Sequence, residues 1–343
     1  MGPNGGTIVP PVISVENLTK RYRNLQRSDR AALRGLTLEV PPGEIYGFLG
    51  PNGAGKTTAI KLLLGLIRPT AGRGTVLGHP LGSVEARRRL GFLPESPYFY
   101  EYLRGEELLQ YYGSLFRLPD RIRRERVEGL LRLVGLWEHR RLAVRKYSRG
   151  MLQRLGLAQA LINDPELVIL DEPAGGLDPI GRREMRDVLL QLRERGKTVF
   201  LSSHILAEVE TVCDRVAILN RGELVAVGRI GDLLGGSREM ELTIHGANGA
   251  LDRHIEAIPG ATIHHGTDAT VVIVPEQRFV YPIIDVIRET GGQIVSLGAK
   301  RERLEDLFVK LVGQPDGGTD RAVDPGGGGS GPRYAARFDG GAA

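Results

Sequence analysis

The run Gly50-Pro51-Asn52-Gly53-Ala54-Gly55-Lys56-Thr57-Thr58 joins an apolar strand pattern (Ile45 to Leu49) to an apolar helical pattern (Ala59 to Ile67). It satisfies the phosphate-loop pattern of two spaced glycines followed by Lys and Thr, in the strand-to-helix context that pattern requires. Glycines let successive backbone N–H groups wrap phosphate oxygens, and the N-terminus of the following helix adds a favourable dipole. Lys56 brings a cation to the β- and γ-phosphates, and the Thr57 hydroxyl suits Mg²⁺. Far downstream, Leu167-Val168-Ile169-Leu170-Asp171-Glu172-Pro173 reads as a buried strand ending in two carboxylates. Asp171 is expected to hold the Mg²⁺ hydration shell, and Glu172 to orient or deprotonate an attacking water. Together the two segments predict the binding and hydrolysis of a nucleoside triphosphate.

An α/β scaffold has to position these groups. From Val12 to about Gly228 short apolar strands alternate with helical stretches. Strands are predicted at Val12 to Glu16, Leu36 to Val40, Glu44 to Leu49, Leu167 to Leu170, Thr198 to Ser202 and Val216 to Leu219, the last leading into a hairpin turn at Asn220-Arg221-Gly222. Between Gly105 and Leu161 strand signals stop, and three amphipathic helical stretches take their place, Glu106 to Phe116, Arg121 to Val134 and Arg149 to Leu161. Beyond a Gly-Gly-Ser linker at 235–237 the order to about Val312 is strand, helix, strand, strand, helix, strand and a closing helix, which predicts a small ferredoxin-like α+β domain. Residues 1–11 and the Gly-rich 314–343, with its run Gly326 to Gly329, carry too little apolar content to fold and are expected to be disordered. The resulting division is 12–236 for the main domain, with a helical insert at about 96–162, and 237–313 for the second.

Composition narrows the class. At 343 residues the chain accommodates one large and one small domain. Apolar residues at 41% and charged residues at 25% fit a folded globular protein and exclude a disordered or fibrous one. No apolar run approaches the roughly 18 residues of a spanning helix, so the chain is not expected to cross a membrane, and the Gly/Pro-rich start argues against a secretory signal. The single cysteine, Cys213, sits in an apolar-periodic stretch and reads as a core residue in a reducing compartment. A net charge of +5 and a pI of about 9.4 would fit nucleic acid, but the arginines are interleaved with glutamates, so no nucleic-acid partner is expected. The stretch Arg121, Arg123, Arg124 and Arg126 reads as a solvated helix face. His245, His254, His264 and His265 lack cysteine partners or i, i+4 pairing and predict no zinc site.

Taken with the order of the remaining motifs, the chain resembles the nucleotide-binding subunits of ABC transporters over nearly all of Val12 to Gly228. The resemblance implies an ABC ATPase fold of mixed sheet core, antiparallel β subdomain and helical subdomain, with ATP and Mg²⁺ as its nucleotide and metal. It makes Tyr22, in Lys20-Arg21-Tyr22, the aromatic that stacks on adenine. Tyr147-Ser148-Arg149-Gly150-Met151 resembles the family signature written LSGGQ, whose hydroxyl and backbone donors, here Ser148 and Gly150, close over the γ-phosphate held by a second copy. Arg149, Met151 and Tyr147 depart from that pattern. Glu95, in Gly91-Phe92-Leu93-Pro94-Glu95, stands where the family more often has a glutamine that reaches the metal. Asp178, in Gly176-Leu177-Asp178, matches the D-loop at the subunit contact, and His204 matches the switch histidine that bonds the γ-phosphate.

The resemblance further implies a homodimer, or a heterodimer with a related subunit, peripheral at the cytoplasmic face of the membrane. There it couples ATP-driven closure to a separate transmembrane permease. Leu304-Glu305-Asp306-Leu307-Phe308 resembles the C-terminal extension of bacterial exporter subunits, which points to export. Competing P-loop classes lack support. A GTPase base reader Asn-Lys-x-Asp does not occur, and the 115 positions from Lys56 to Asp171 leave no room for the long coiled coil of an SMC protein. One P-loop rather than two argues against a tandem-cassette translation factor. The alternative that stays open is a soluble single-cassette ATPase acting on a ribosome or nucleic acid.

Overall fold

The structure, a computed structural model, describes residues 9–22, 30–235, 239–246, 249–300 and 303–312. The tail expected at 314–343 and most of the N-terminal segment lie outside the described residues. The described residues divide into two units, the first running to Arg229 and the second covering Ile230–Lys310.

The first unit contains two sheets. One is antiparallel, in the order β2-β1-β4-β5, built from β1 (Ile13–Tyr22), β2 (Arg30–Val40), β4 (Ala71–Val76) and β5 (His79–Pro80). The other has six strands in the order β10-β9-β3-β8-β7-β6: β3 (Ile45–Leu49), β6 (Leu90–Leu93), β7 (Leu167–Asp171), β8 (Thr198–Ser203), β9 (Arg215–Asn220) and β10 (Glu223–Arg229). All its neighbours are parallel except the hairpin β9–β10. Strands β3, β7 and β8 are buried along their whole length, as their uninterrupted apolar sequences require of parallel strands covered on both faces. Helices α1 (Lys56–Leu63), α2 (Val84–Arg88), α6 (Pro179–Glu194) and α7 (Leu206–Val212) connect them. The expected helical insert is present as α3 (Gly105–Leu115), α4 (Asp120–Leu133) and α5 (Arg149–Ala160).

Differences from the sequence expectation have local causes. β1 extends to Tyr22 rather than Glu16, because bulges near Leu18 and Lys20 break the alternation by which a strand is recognised. β4 was not expected at all: its sequence Ala-Gly-Arg-Gly-Thr-Val has poor strand propensity. A Cβ on Gly74 would lie 2.6 Å from a Val15 methyl, so close packing on β1 demands the residue that hides the strand.

The second unit opens with α8 (Ile230–Leu234) and continues through β11 (Met240–His245), α9 (Gly249–Glu256), β12 (Thr262–His265), β13 (Thr270–Val274), α10 (Val280–Glu289) and β14 (Gln293–Ala299), with α11 (Leu304–Val312) closing the described chain. Its sheet is fully antiparallel in the order β12-β13-β11-β14, the ferredoxin-like arrangement expected from the element order. Leu242, Ile244, Val272 and Val274 pack against Leu251, Ile255, Ile283 and Ile287 from its two helices.

The core that matters for the site lies under the parallel strands. Phe200 of β8 is fully buried, its ring 5.4 Å from that of Phe48 and 6.0 Å from that of Tyr46, both on β3. Truncating it, Phe200→Ala, is expected to destabilise the first unit by about 3–5 kcal/mol, measured by denaturant unfolding of the full chain.

Candidate active site

Parallel pairing sets Leu49 of β3 beside Ser203 of β8, and Ser202 beside Asp171 of β7. Three chain segments therefore leave the sheet at one edge and at one level: the loop from Gly50, the pair Asp171-Glu172, and Ser203-His204. The loop turns into α1 at Gly55, whose φ of 112° and lack of a Cβ are both required, because a Cβ would run into the Ala32 carbonyl oxygen and the Leu33 side chain.

Lys56, only 7% exposed, folds back so that its Nζ donates to the Gly50 carbonyl at 2.7 Å and lies 3.5 Å from Glu172 Oε1. The other carboxylate oxygen, Oε2, accepts from His204 Nδ1 at 2.7 Å and from the His204 backbone N–H at 3.3 Å. A carboxylate has no proton to give, so Nδ1 carries the hydrogen of this bond. Glu172 itself has φ 51°, a left-handed conformation that costs a non-glycine residue roughly 1–3 kcal/mol. Its N–H donates to both the hydroxyl (3.0 Å) and the carbonyl (3.2 Å) of Ser202, which holds the backbone there.

Ser202 is a residue that sequence reasoning missed. Fully buried, it donates at 2.6 Å to Asp171 Oδ1 while accepting from Glu172, and so orients both acids from the neighbouring strand. The signal was a serine inside the apolar run Val199-Phe200-Leu201-Ser202, which only strand pairing connects to Asp171.

Pro51, Asn52, Gly53, Gly55, Lys56, Thr57 and Thr58 line one cleft of about 650 Å³ together with Glu95, Glu172 and His204. Ala31, Ala32, Arg34 and Arg221 complete its wall, none of them read as a site residue from sequence. Of the remaining predicted residues, Gly50 supplies the carbonyl that holds Lys56, Ala54 is buried, and Asp171 is 5% exposed with its Oδ1 on Ser202. Tyr22 ends β1 with its ring 43% exposed and the Lys20 ammonium 5.3 Å from the ring centre; it does not line the cleft. Asp178 caps α6, accepting from the Gly181 N–H at 2.7 Å. Ser148 caps α5, accepting from Met151 N–H at 3.3 Å, and neither it nor Gly150 lines the cleft of its own chain.

A buried lysine, a strand-end acid and an imidazole thus meet at the mouth of a glycine loop. The ABC transporter family matches residues 33–175. An uncharacterised ABC transporter ATP-binding protein of Nostoc is 43% identical over 92% of this chain and 94% of its own. This chain belongs to the ABC transporter ATP-binding proteins. A bacitracin transport ATP-binding protein of Bacillus licheniformis is 36% identical, covering 90% of this chain and 98% of its own. Among solved structures, an ATP-binding subunit of an ABC transporter matches with a TM-score of 0.58 at 32% identity, over 65% of this chain and 91% of that one. The fold is thus that of an ABC ATPase domain followed by a C-terminal α+β extension.

The departures from the ABC signature have physical explanations in part. Tyr147, where the pattern has leucine, is 7% exposed, and its hydroxyl donates to the His139 carbonyl at 2.9 Å. Burial, with Glu106 adding to it, pushes its pKa up to about 12, so it stays a neutral donor. It ties the start of α5 to the turn before it. Removing the Ser202 hydroxyl, Ser202→Ala, takes a charge-assisted bond from a buried acid and is expected to cost about 1–3 kcal/mol, read as a lowered denaturation midpoint in the nucleotide-free protein.

Proposed function

We propose that this chain binds MgATP, closes as a pair around two nucleotides, hydrolyses them and thereby drives a separate transmembrane permease, in the direction of export. The observation that carries the reading is the bridge Lys56–Glu172–His204 at the mouth of the glycine loop. Lys56 is held on a carbonyl and a carboxylate, both of which a γ-phosphate replaces. Once Lys56 turns to phosphate, Glu172 keeps His204 as a partner and is free to accept the proton of a water attacking the γ-phosphorus in line. With Nδ1–H kept on Glu172, His204 offers Nε2 to the phosphate and donates from it in its protonated form.

The residues present fit a magnesium ion. Asp171 Oδ1 is committed to Ser202, while its Oδ2 has no partner among the described residues; Thr57 and Glu95 line the cleft, as does Glu172, the residue next to Asp171. When bound, Mg²⁺ would neutralise charge on the β- and γ-phosphate oxygens.

Two copies are needed because Ser148 and Gly150, the groups suited to the far side of a γ-phosphate, lie off the cleft of their own chain. Asp178, at the start of α6, is assigned to the contact between copies, and Tyr22 to the base. Among the described residues no helix is long and apolar enough to cross a membrane, so the spanning path is assigned to a partner. The Leu304–Phe308 segment supports export over import.

Glu172→Gln is expected to leave ATP binding intact and to lower turnover by about 10²–10⁴-fold, with the ATP-bound pair accumulating on size-exclusion chromatography. A variant that still hydrolyses ATP at the parental rate removes Glu172 as the base. Chelating divalent metal is expected to abolish hydrolysis in the parent, with activity returning on adding Mg²⁺. For direction, the chain expressed with its membrane partner should drive ATP-dependent accumulation in inverted vesicles, and accumulation only in right-side-out vesicles loaded with ATP overturns export.

A further inference from the structure

Arg149 stands at the first position of α5, between Ser148 and Gly150, and its side chain is exposed. Arg154, on the same helix, pairs with Glu184 at 3.1 Å. Arg149 makes no hydrogen bond or ion pair among the described residues, and the first turn of α5 contains no acid. Instead it lies across the D-loop. A Cβ placed on Gly176 would be 2.5 Å from both terminal nitrogens of Arg149 and closer still to the Cζ between them. Equal approach to the two nitrogens means that the guanidinium lies face-on over Gly176.

That arrangement restricts a side chain that is otherwise rich in rotamers. It also covers the face of the guanidinium while leaving its in-plane N–H donors directed outward and unused. The platform is firm. Gly176 has φ 69°, which excludes most other residues, and the next two positions are the buried Leu177 and the α6 cap Asp178. Ser148 Oγ and a Leu177 methyl lie 4.0 Å and 3.8 Å from where a Gly150 Cβ would be, so hydroxyl, helix start and D-loop converge on the same spot. A fixed, uncompensated guanidinium beside a hydroxyl and a helix N-terminus fits the terminal oxygens of a phosphate.

We propose that Arg149 donates to the γ-phosphate of the ATP held by Lys56 of a second copy, using Gly176 of its own D-loop as its seat. The proposal rests on the two-copy reading above. Each closed site then contains two protein cations, Lys56 from one copy and Arg149 from the other, and the D-loop is in direct contact with the group that senses the γ-phosphate. ADP offers no such partner, so Arg149 contributes to closure on ATP and nothing to nucleotide capture by a single copy.

The test uses the turnover-blocked Glu172→Gln protein, with light scattering to follow pairing during ATP titration. Pairing with ATP and not with ADP is the control on the two-copy reading; its absence sinks that reading before Arg149 is examined. Given pairing, adding Arg149→Ala, which retains helix propensity, is expected to raise the ATP concentration at half-pairing by at least roughly tenfold. Binding of a fluorescent ADP to the single copy should stay unchanged. Arg149→Gly, which restores the family residue, is expected to behave alike, so the result does not hang on one variant folding. Gly176→Ala displaces the guanidinium and should shift pairing in the same direction, and combining it with Arg149→Ala should add nothing further. Unchanged pairing in the Arg149 variants, or an equal loss of ADP binding, overturns the assignment, and an additive double variant overturns the role of Gly176.

Discussion

A carboxylate with about a tenth of its surface exposed needs donors on every side, and the rest of the site depends on how Glu172 finds them. Lys56 stands 3.5 Å from one oxygen and His204 2.7 Å from the other. Burying such a pair costs several kcal/mol per ion in lost hydration, and the mutual attraction scarcely repays it. The bridge is therefore poor evidence of a stabilising device and good evidence of a chemical one. Its members satisfy one another while no phosphate is present, and each has a further capacity that only an anion or a water uses. In the proposed function, nucleotide entry would exchange partners around Glu172 without first having to strip a shell of bulk water from the lysine.

Such an exchange works only if three chain segments stay in register. Leu49, Asp171 and Ser203 end neighbouring parallel strands, and a slip of one residue in any of them would turn its side chains to the opposite face. Phe200, wedged against Phe48 and Tyr46, ties β8 to β3 below the site, and Ser202 ties β8 to β7 at its rim. Left-handed Glu172 is the point at which the backbone departs from strand geometry to bring its side chain back over the loop. The strain is borne where the two Ser202 acceptors hold the Glu172 N–H.

Contiguous signals were readable from sequence, and relations across space were not. Gly50 to Thr58 and the pair Asp171-Glu172 each declare their chemistry within a few residues, at the end of an apolar strand. The order β11 to α11 could be read because each element keeps its apolar period, although β14 is exposed throughout. β4 was hidden by the glycines its packing demands, and the far end of β1 by its bulges. Ser202 acquires meaning only from the pairing of β7 with β8. That Ser148 and Gly150 lie off their own cleft is likewise a property of the fold, as is the meeting of Arg149 with a glycine 27 positions later in a left-handed turn.

The departures from the family pattern differ in physical kind. Tyr147 is absorbed by the fold: a buried ring with its hydroxyl on a carbonyl does for the start of α5 what a leucine does by packing alone, with a hydrogen bond added. Glu95 and Arg149 are not absorbed, since both are exposed and both place a full charge where the pattern has a neutral residue. In a two-copy arrangement they belong to the same composite site, Glu95 on the wall of the cleft that holds Lys56, Arg149 arriving on the start of α5 from the other copy. An acid added on one side and a base on the other leave the net charge around the triphosphate equal to that of a glutamine facing a glycine. The two changes thus make physical sense as a pair: a glutamate alone would repel the γ-phosphate it flanks, and the guanidinium opposite offsets that repulsion only when the second copy has closed.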